Sequence, residues 1–216
     1  ASIAIKKNLE VNVVELENRV MGRVVSSEVS DFFQKRHQSE GVEFKFNTSI
    51  TDIEDQGKQK KIICSDGSCF STDVVVVGVG ITPNIELAKS SGLTCDNGIL
   101  VDENGQTSDP HIFAVGDCSN HPNNIFKQRL RLESVQNAVE QAKSVAASIA
   151  GSVKPYQEVP WFWSDQYNIK LQIAGISQDH DHRVTRGYPE EEKFAVFYQK
   201  EKRLVAVDAI NSPKEF

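Results

Sequence analysis

At 216 residues the chain is long enough to bury a sizeable core and to hold more than one domain. Hydrophobic residues make up 39% and charged residues 25%, an ordinary globular composition, and a formal net charge of −6 argues against nucleic acid as a general partner. No apolar run reaches the roughly 18–20 residues of a membrane span, and no signal-peptide pattern is present, so a cytoplasmic setting without membrane contact is expected.

The predicted elements follow in order. Ala1–Asn8 reads as helix, Leu9–Glu15 as a strand and Arg19–Val25 as a connecting loop. Ser27–Ser39 reads as a helix with Val29, Phe32 and Phe33 on one face and Gly41 just past its end. Gly41–Phe46 alternates like a strand, and Thr48–Ser71 looks like a β-meander with a polar turn at Asp55–Lys60. The valine run Asp73–Val79 has the unbroken apolar character of a buried parallel strand. Ile81–Gly92 reads as a loop and a short helix. Ile99–Asp102 and Ile112–Val115 read as short strands joined through the turn sequence D-E-N-G-Q-T. Glu133–Ala150 is a strong helix with apolar residues at Val135, Ala138, Val139, Ala142, Val145, Ala146 and Ile149, closed by Gly151. From Val159 onward, K-L-Q-I-A-G, F-A-V-F-Y-Q and R-L-V-A-V-D-A-I are strand-like, with a hairpin turn at Lys200–Arg203. They suggest a separate antiparallel domain.

Four cysteines, Cys64, Cys69, Cys95 and Cys118, include no Cys-x-x-Cys pair, so neither a zinc knuckle nor a thioredoxin-type dithiol is indicated. Cys64 and Cys69 flank S-D-G-S, a hairpin turn. The D-H-D-H run at 179–182 reads as a solvated turn rather than a metal site.

The most informative stretch is Asp109–Asp117, D-P-H-I-F-A-V-G-D. A glycine at its end lets the backbone approach a ligand closely, and the Asp that follows can accept hydrogen bonds from sugar or ribityl hydroxyls. Upstream stands T-D-V-V-V-V-G-V-G-I-T-P-N (Thr72–Asn84), and downstream R-L-E-S-V-Q-N-A (Arg131–Ala138). In this order and spacing the three segments resemble the second half of the FAD-dependent ferredoxin and rubredoxin reductases, the putidaredoxin-reductase-like enzymes that use NADH. The resemblance runs over nearly the whole chain. It implies an α/β fold: a partial Rossmann-like NAD-binding domain over 1–80, a partial FAD-binding domain over 81–157, and an α+β C-terminal reductase domain with an antiparallel sheet over 158–216. Both glycine turns of the family, G-x-G-x-x-G, are missing. The chain therefore reads as a piece of a longer protein, and the piece itself is expected to hold neither FAD nor NAD tightly.

Site residues follow in the same terms. Glu15, at the end of the first strand, can hold both hydroxyls of an adenosine ribose and repel a 2′-phosphate, which favours NADH. The resemblance places Arg23 near the adenosine or pyrophosphate, where a guanidinium suits phosphate. It places Gly78 and Gly80 near the nicotinamide half, and Asp117 at the ribityl or phosphate region of FAD. Val135 and Gln136 open the long helix, whose free N–H groups and positive dipole end suit the N1–C2=O edge of a reduced flavin. By resemblance Trp163, in P-W-F-W-S-D-Q, lies against the flavin near a docking partner, with Lys170, His180 and His182 as a rim. The implied activity is hydride transfer from NADH to FAD and electron transfer to a ferredoxin or rubredoxin, in a protein that can be oligomeric. A flavin-dependent disulfide or nitrite reductase, or a non-catalytic module, are the alternatives.

Overall fold

The computed structural model describes residues 1–216. Helix α1 (Ser2–Lys6) leads to β1 (Val11–Val14), helix α2 (Ser27–Ser39) and β2 (Val42–Lys45). β1 and β2 pair in parallel, Val11 opposite Val42, so α2 is the crossover of a β-α-β unit. Ser26 starts α2: its Oγ accepts the Val29 N–H at 3.4 Å. Gly41, at φ +92°, lets the chain turn out of the helix in a conformation side chains disfavour. β3 (Ile50–Asp55), β4 (Lys60–Cys64) and β5 (Cys69–Thr72) form an antiparallel meander whose second turn is S-D-G-S.

Helix α3 (Glu86–Ser90) precedes β6 (Ile99–Leu100), a 3-10 turn at Gly116–Cys118, β7 (Ser119–Asn123), β8 (Gln128–Leu130) and helix α4 (Val135–Ile149). The last five strands are β9 (Trp161–Gln166), β10 (Ile169–Gly175), β11 (His182–Tyr188), β12 (Lys193–Lys200) and β13 (Arg203–Ile210). They make one antiparallel sheet in the order β11-β12-β13-β10-β9.

The main core unites the two ends of the chain. Val29 and Phe33, four residues apart and so on one face of α2, pack with Val20 and Val25 against Ile169, Leu171, Phe194, Val196, Tyr198 and Ile210 of the last sheet. Each such side chain contributes about 1.5–3 kcal/mol when fully buried. Polar ties bracket this contact. At the start of α2 the Ser26 N–H donates to the Tyr198 hydroxyl at 3.2 Å, and Tyr198 donates to the buried Asp208 carboxyl. At its end, the His37 ring bonds the Tyr167 hydroxyl at 2.8 Å and Gln166 Oε1 at 2.7 Å.

Several expectations from the sequence meet a different structure. The valine run forms no strand: Val74, Val76, Val77 and Val79 are 71–89% exposed, and residues 75–84 make no hydrogen bond. No second strand lies beside the run here, and unpaired backbone does not hold an extended ladder. Ile112–Val115 is also not a strand; it touches the preceding turn through a single bridge, Gln106 to Phe113. Helix α4 is rotated from its apolar pattern. Its buried face is Gln136, Asn137, Gln141, Ser144 and Val145, while Val135, Val139 and Ile149 are exposed. On β9 the alternation puts Phe162 against the core and both tryptophans outward. Strands β7, β8 and β11 lie in segments whose sequence gave no strand signal.

Candidate functional site

Asp117 sits in the 3-10 turn Gly116–Cys118, directly against α4. Gly116 has φ +77°, a conformation that side chains disfavour, and it faces Ala138 of α4, where a Cβ would stand at an ordinary contact distance of 3.4 Å. The Asp117 carboxylate is exposed and bonds no group of the chain. Its backbone carbonyl is held instead: Arg131 Nη1 donates to it at 3.0 Å. Arg131 also reaches Asn97 Oδ1 at 3.1 Å and Glu133 at 2.8 Å, tying the turn to the approach of α4.

At the head of α4, Ser134 Oγ accepts the Asn137 N–H at 3.2 Å. The N–H groups of Val135 and Gln136 stay without partners in the chain. Unpaired N–H groups at a helix start carry partial positive charge. A free carboxylate thus lies in a turn packed on α4, the helix whose head carries the free backbone donors. The carboxylate suits hydroxyl donors, and the helix head suits a negatively charged or carbonyl edge. That donor and acceptor set fits the ribityl chain and ring edge of a flavin, so Asp117, Val135 and Gln136 are the residues that would hold one.

Behind the turn lies a buried polar cluster that the sequence did not signal. Gln141 Oε1 accepts the Gly116 N–H and the Ser119 hydroxyl, each at 2.7 Å, and its Nε2 meets His121 Nδ1 at 2.9 Å. Burial, reinforced by the nearby Arg129 guanidinium, pushes the His121 imidazole down to about 4. Burial pushes the Tyr156 phenol up to about 12. Both are therefore neutral at physiological pH. A small cavity of about 10 Å³ touches His121, Tyr156 and Gln141.

The other candidate residues fall elsewhere. Glu15 directly follows β1, at the carboxyl end of the parallel pair, and its N–H donates to the Lys45 carbonyl at 2.8 Å. Its Oε1 accepts the Glu17 N–H at 3.0 Å, which orients the carboxylate at the strand end. Arg23 is exposed and makes no hydrogen bond, whereas Arg19 grips the loop through the Gly22 and Val25 carbonyls at 2.7 and 2.9 Å. Gly78 and Gly80 lie in the exposed 75–84 stretch, with open space where a Cβ would stand. Trp163 is 45% exposed, stacked obliquely on Trp161 at 5.5 Å, on a strand that runs beside α4. His180 turns inward, its ring edge-on to Tyr198 at 5.1 Å, and so leaves the rim; Lys170 and His182 are exposed. The structure thus packs the turn of Asp117 on α4, the helix that Val135 and Gln136 open, with the strand of Trp163 nearby. It provides no bond from Glu15, Arg23, Gly78 or Gly80 to that group. All four cysteines are free thiols, no cluster of acidic, cysteine or histidine side chains forms a metal site, and no helix is long and apolar enough to cross a membrane.

The family model described as pyridine nucleotide-disulphide oxidoreductase matches residues 1–142, and that described as reductase C-terminal matches residues 161–216. Putidaredoxin reductase of Pseudomonas putida is 42% identical over the whole chain, which covers 52% of that protein. A ferredoxin reductase structure from Rhodopseudomonas palustris superposes with a TM-score of 0.96 at 43% identity, over 99% of this chain and 53% of the other. The structure of a covalent putidaredoxin reductase–putidaredoxin complex gives 0.95 at 41% identity, over 100% and 52%. The chain spans about half the length of the curated relatives it matches. The chain belongs to the pyridine nucleotide-disulphide oxidoreductase family.

Proposed function

We propose that this chain works as part of a longer flavoprotein that takes a hydride from NADH and passes electrons to a ferredoxin- or rubredoxin-type acceptor. The observation that carries the reading is the exposed Asp117 carboxylate in a turn packed on α4, the helix whose N-terminus is open. The names of the similar proteins, a putidaredoxin reductase and a ferredoxin reductase, point the same way. A bound flavin would supply two-electron acceptance on one side and one-electron release on the other. The chain's own residues then bind and orient. Asp117 accepts from hydroxyls, the N–H groups of Val135 and Gln136 face an electron-rich edge, and exposed Trp163 offers an apolar face toward a docking partner. Glu15 selects NADH by accepting from the ribose diol, and Arg23 offers its free guanidinium to phosphate. Gly78 and Gly80 leave room for the nicotinamide half. The exposed valines of 74–79 and the apolar stripe of α4 fit burial against further polypeptide, which supports action as part of a larger protein.

The experiment is an anaerobic NADH titration of the full-length protein, followed by oxidised ferredoxin, rubredoxin or a small disulfide. The reading expects bleaching of a flavin band by NADH and rapid reduction of an iron–sulfur or iron centre. Preferential reduction of the disulfide would replace it with the disulfide-reductase alternative, and an absence of flavin bleaching would end it.

A further inference from the structure

Gln141 lies in the second turn of α4, six residues in, and is 4% exposed by area through its residue as a whole. Its amide makes three hydrogen bonds inside the fold. The oxygen takes two donors, the Gly116 N–H and the Ser119 hydroxyl, both at 2.7 Å. These two residues bracket Asp117. The bonds dictate which way the amide points: the Gly116 N–H can only donate, so the oxygen must face it, and the nitrogen must face His121 Nδ1 at 2.9 Å. His121 is then the tautomer with its proton on Nε2, and it supports the amide from behind.

We propose that Gln141 is the positioning residue of the Asp117 turn. It fixes the carboxylate's turn on α4 so that one rigid helix carries both halves of the flavin-facing surface. Three features make this more than packing. Gly116, Asp117 and Cys118 form no ladder with a neighbouring strand, so side chains hold the turn: the Gln141 amide, Arg131 and the Ser119 hydroxyl, 2.9 Å from the Gly116 carbonyl. Arg131 holds only the Asp117 carbonyl and is partly reachable by solvent, whereas Gln141 holds the residues on both sides and is buried. The Asp117 carboxylate itself has no partner in the chain, so the backbone of its turn sets where its side chain leaves the chain. A shorter or apolar side chain at 141 would strand the Gly116 N–H and free the turn, and a carboxylate at 141 would keep both acceptor bonds while His121 moves its proton to Nδ1.

The inference rests on the flavin reading of Asp117, and the test separates the two. In the full-length protein, FAD dissociation constants and apoprotein melting temperatures are measured for wild type, Gln141→Leu, Gln141→Asn, Gln141→Glu and Val145→Ala. Val145 is a similarly buried position one turn further along α4 whose side chain packs on Gly105. The expected result is that Leu and Asn weaken FAD binding on the order of tenfold. Glu should stay within a few-fold of wild type, and Val145→Ala should lower the melting temperature without changing FAD affinity. The Asn variant decides the matter where the Leu variant does not fold. Gln141 variants that lose melting temperature in step with Val145→Ala and keep wild-type FAD affinity would overturn the proposal. A wild-type protein that binds no FAD, or an Asp117→Ala protein that binds it normally, would instead sink the reading beneath it.

Discussion

Asp208 titrates inside the core, and replacing it by Asn should change how stability depends on pH. The carboxyl is fully buried where β13 meets the start of α2; Tyr198 donates to one oxygen and the other has no partner. Burial pushes it up to about 7 from an ordinary 3.8, against the opposing effect of the Tyr198 hydrogen bond. A carboxyl raised in this way is protonated in the folded chain and ionised in the unfolded one between those two values. Its contribution to stability is complete below about pH 4 and is lost as pH rises through 7. Roughly three pKa units at 1.36 kcal/mol each make that loss on the order of 4 kcal/mol. His121, pushed down to about 4, slopes the other way over much of the same window. The quantity to read is therefore the difference between wild type and Asp208→Asn, in which His121 and the surface carboxylates cancel. His180, packed on Tyr198, and the Arg183–Glu28 ion pair at 2.7 Å above the start of α2 are common to both proteins. Urea unfolding at intervals from pH 4.5 to 8.5 should give a difference that shifts in favour of the Asn variant by several kcal/mol as pH rises. Parallel profiles would refute the assignment of a neutral, buried Asp208.

Two further outcomes follow from the geometry. Phe33→Ala empties a fully buried site shared by α2 and the last sheet; it should cost about 3–5 kcal/mol and lower the helix and tryptophan signals in one transition, whereas separate transitions would mean the two ends of the chain do not share a core. In the full-length protein, Glu15→Ala should narrow the preference for NADH over NADPH at least about tenfold, from loss of a charged hydrogen bond worth roughly 1.5–3 kcal/mol; an unchanged ratio of the two kcat/KM values would remove Glu15 from the site.

What the sequence made legible was local. α2 falls on Ser27–Ser39 as expected because Ser26, the Val29–Phe33 pair and Gly41 mark its start, face and end within a few residues. β13 falls on Arg203–Ile210 because its apolar run follows a tight turn directly, and it pairs with β12 through a register shift between Tyr198 and Gln199. The valine run misled because an apolar strand needs a neighbour, and whether one is present is not written in the run itself. α4 misled for a related reason. Its apolar positions mark one face, but the Gly116 turn and His121 claim the opposite, polar face through Gln141. A buried glutamine carries no periodic signal, so Gln141 and Arg131, which hold the turn, stayed invisible although Asp117 did not. The Gly-Asp pair and its distance from R-L-E-S-V-Q-N-A marked Asp117 as a candidate, and the fold lays that turn on the helix.

The most direct test of the account is FAD retention by full-length Asp117→Ala, measured together with the melting of its apoprotein. The carboxylate is exposed and bonds nothing in the chain, so its removal should leave melting unchanged while weakening FAD binding by about 1–3 kcal/mol. A lower melting temperature with unchanged FAD affinity would show that Asp117 serves the fold and that the flavin site lies elsewhere.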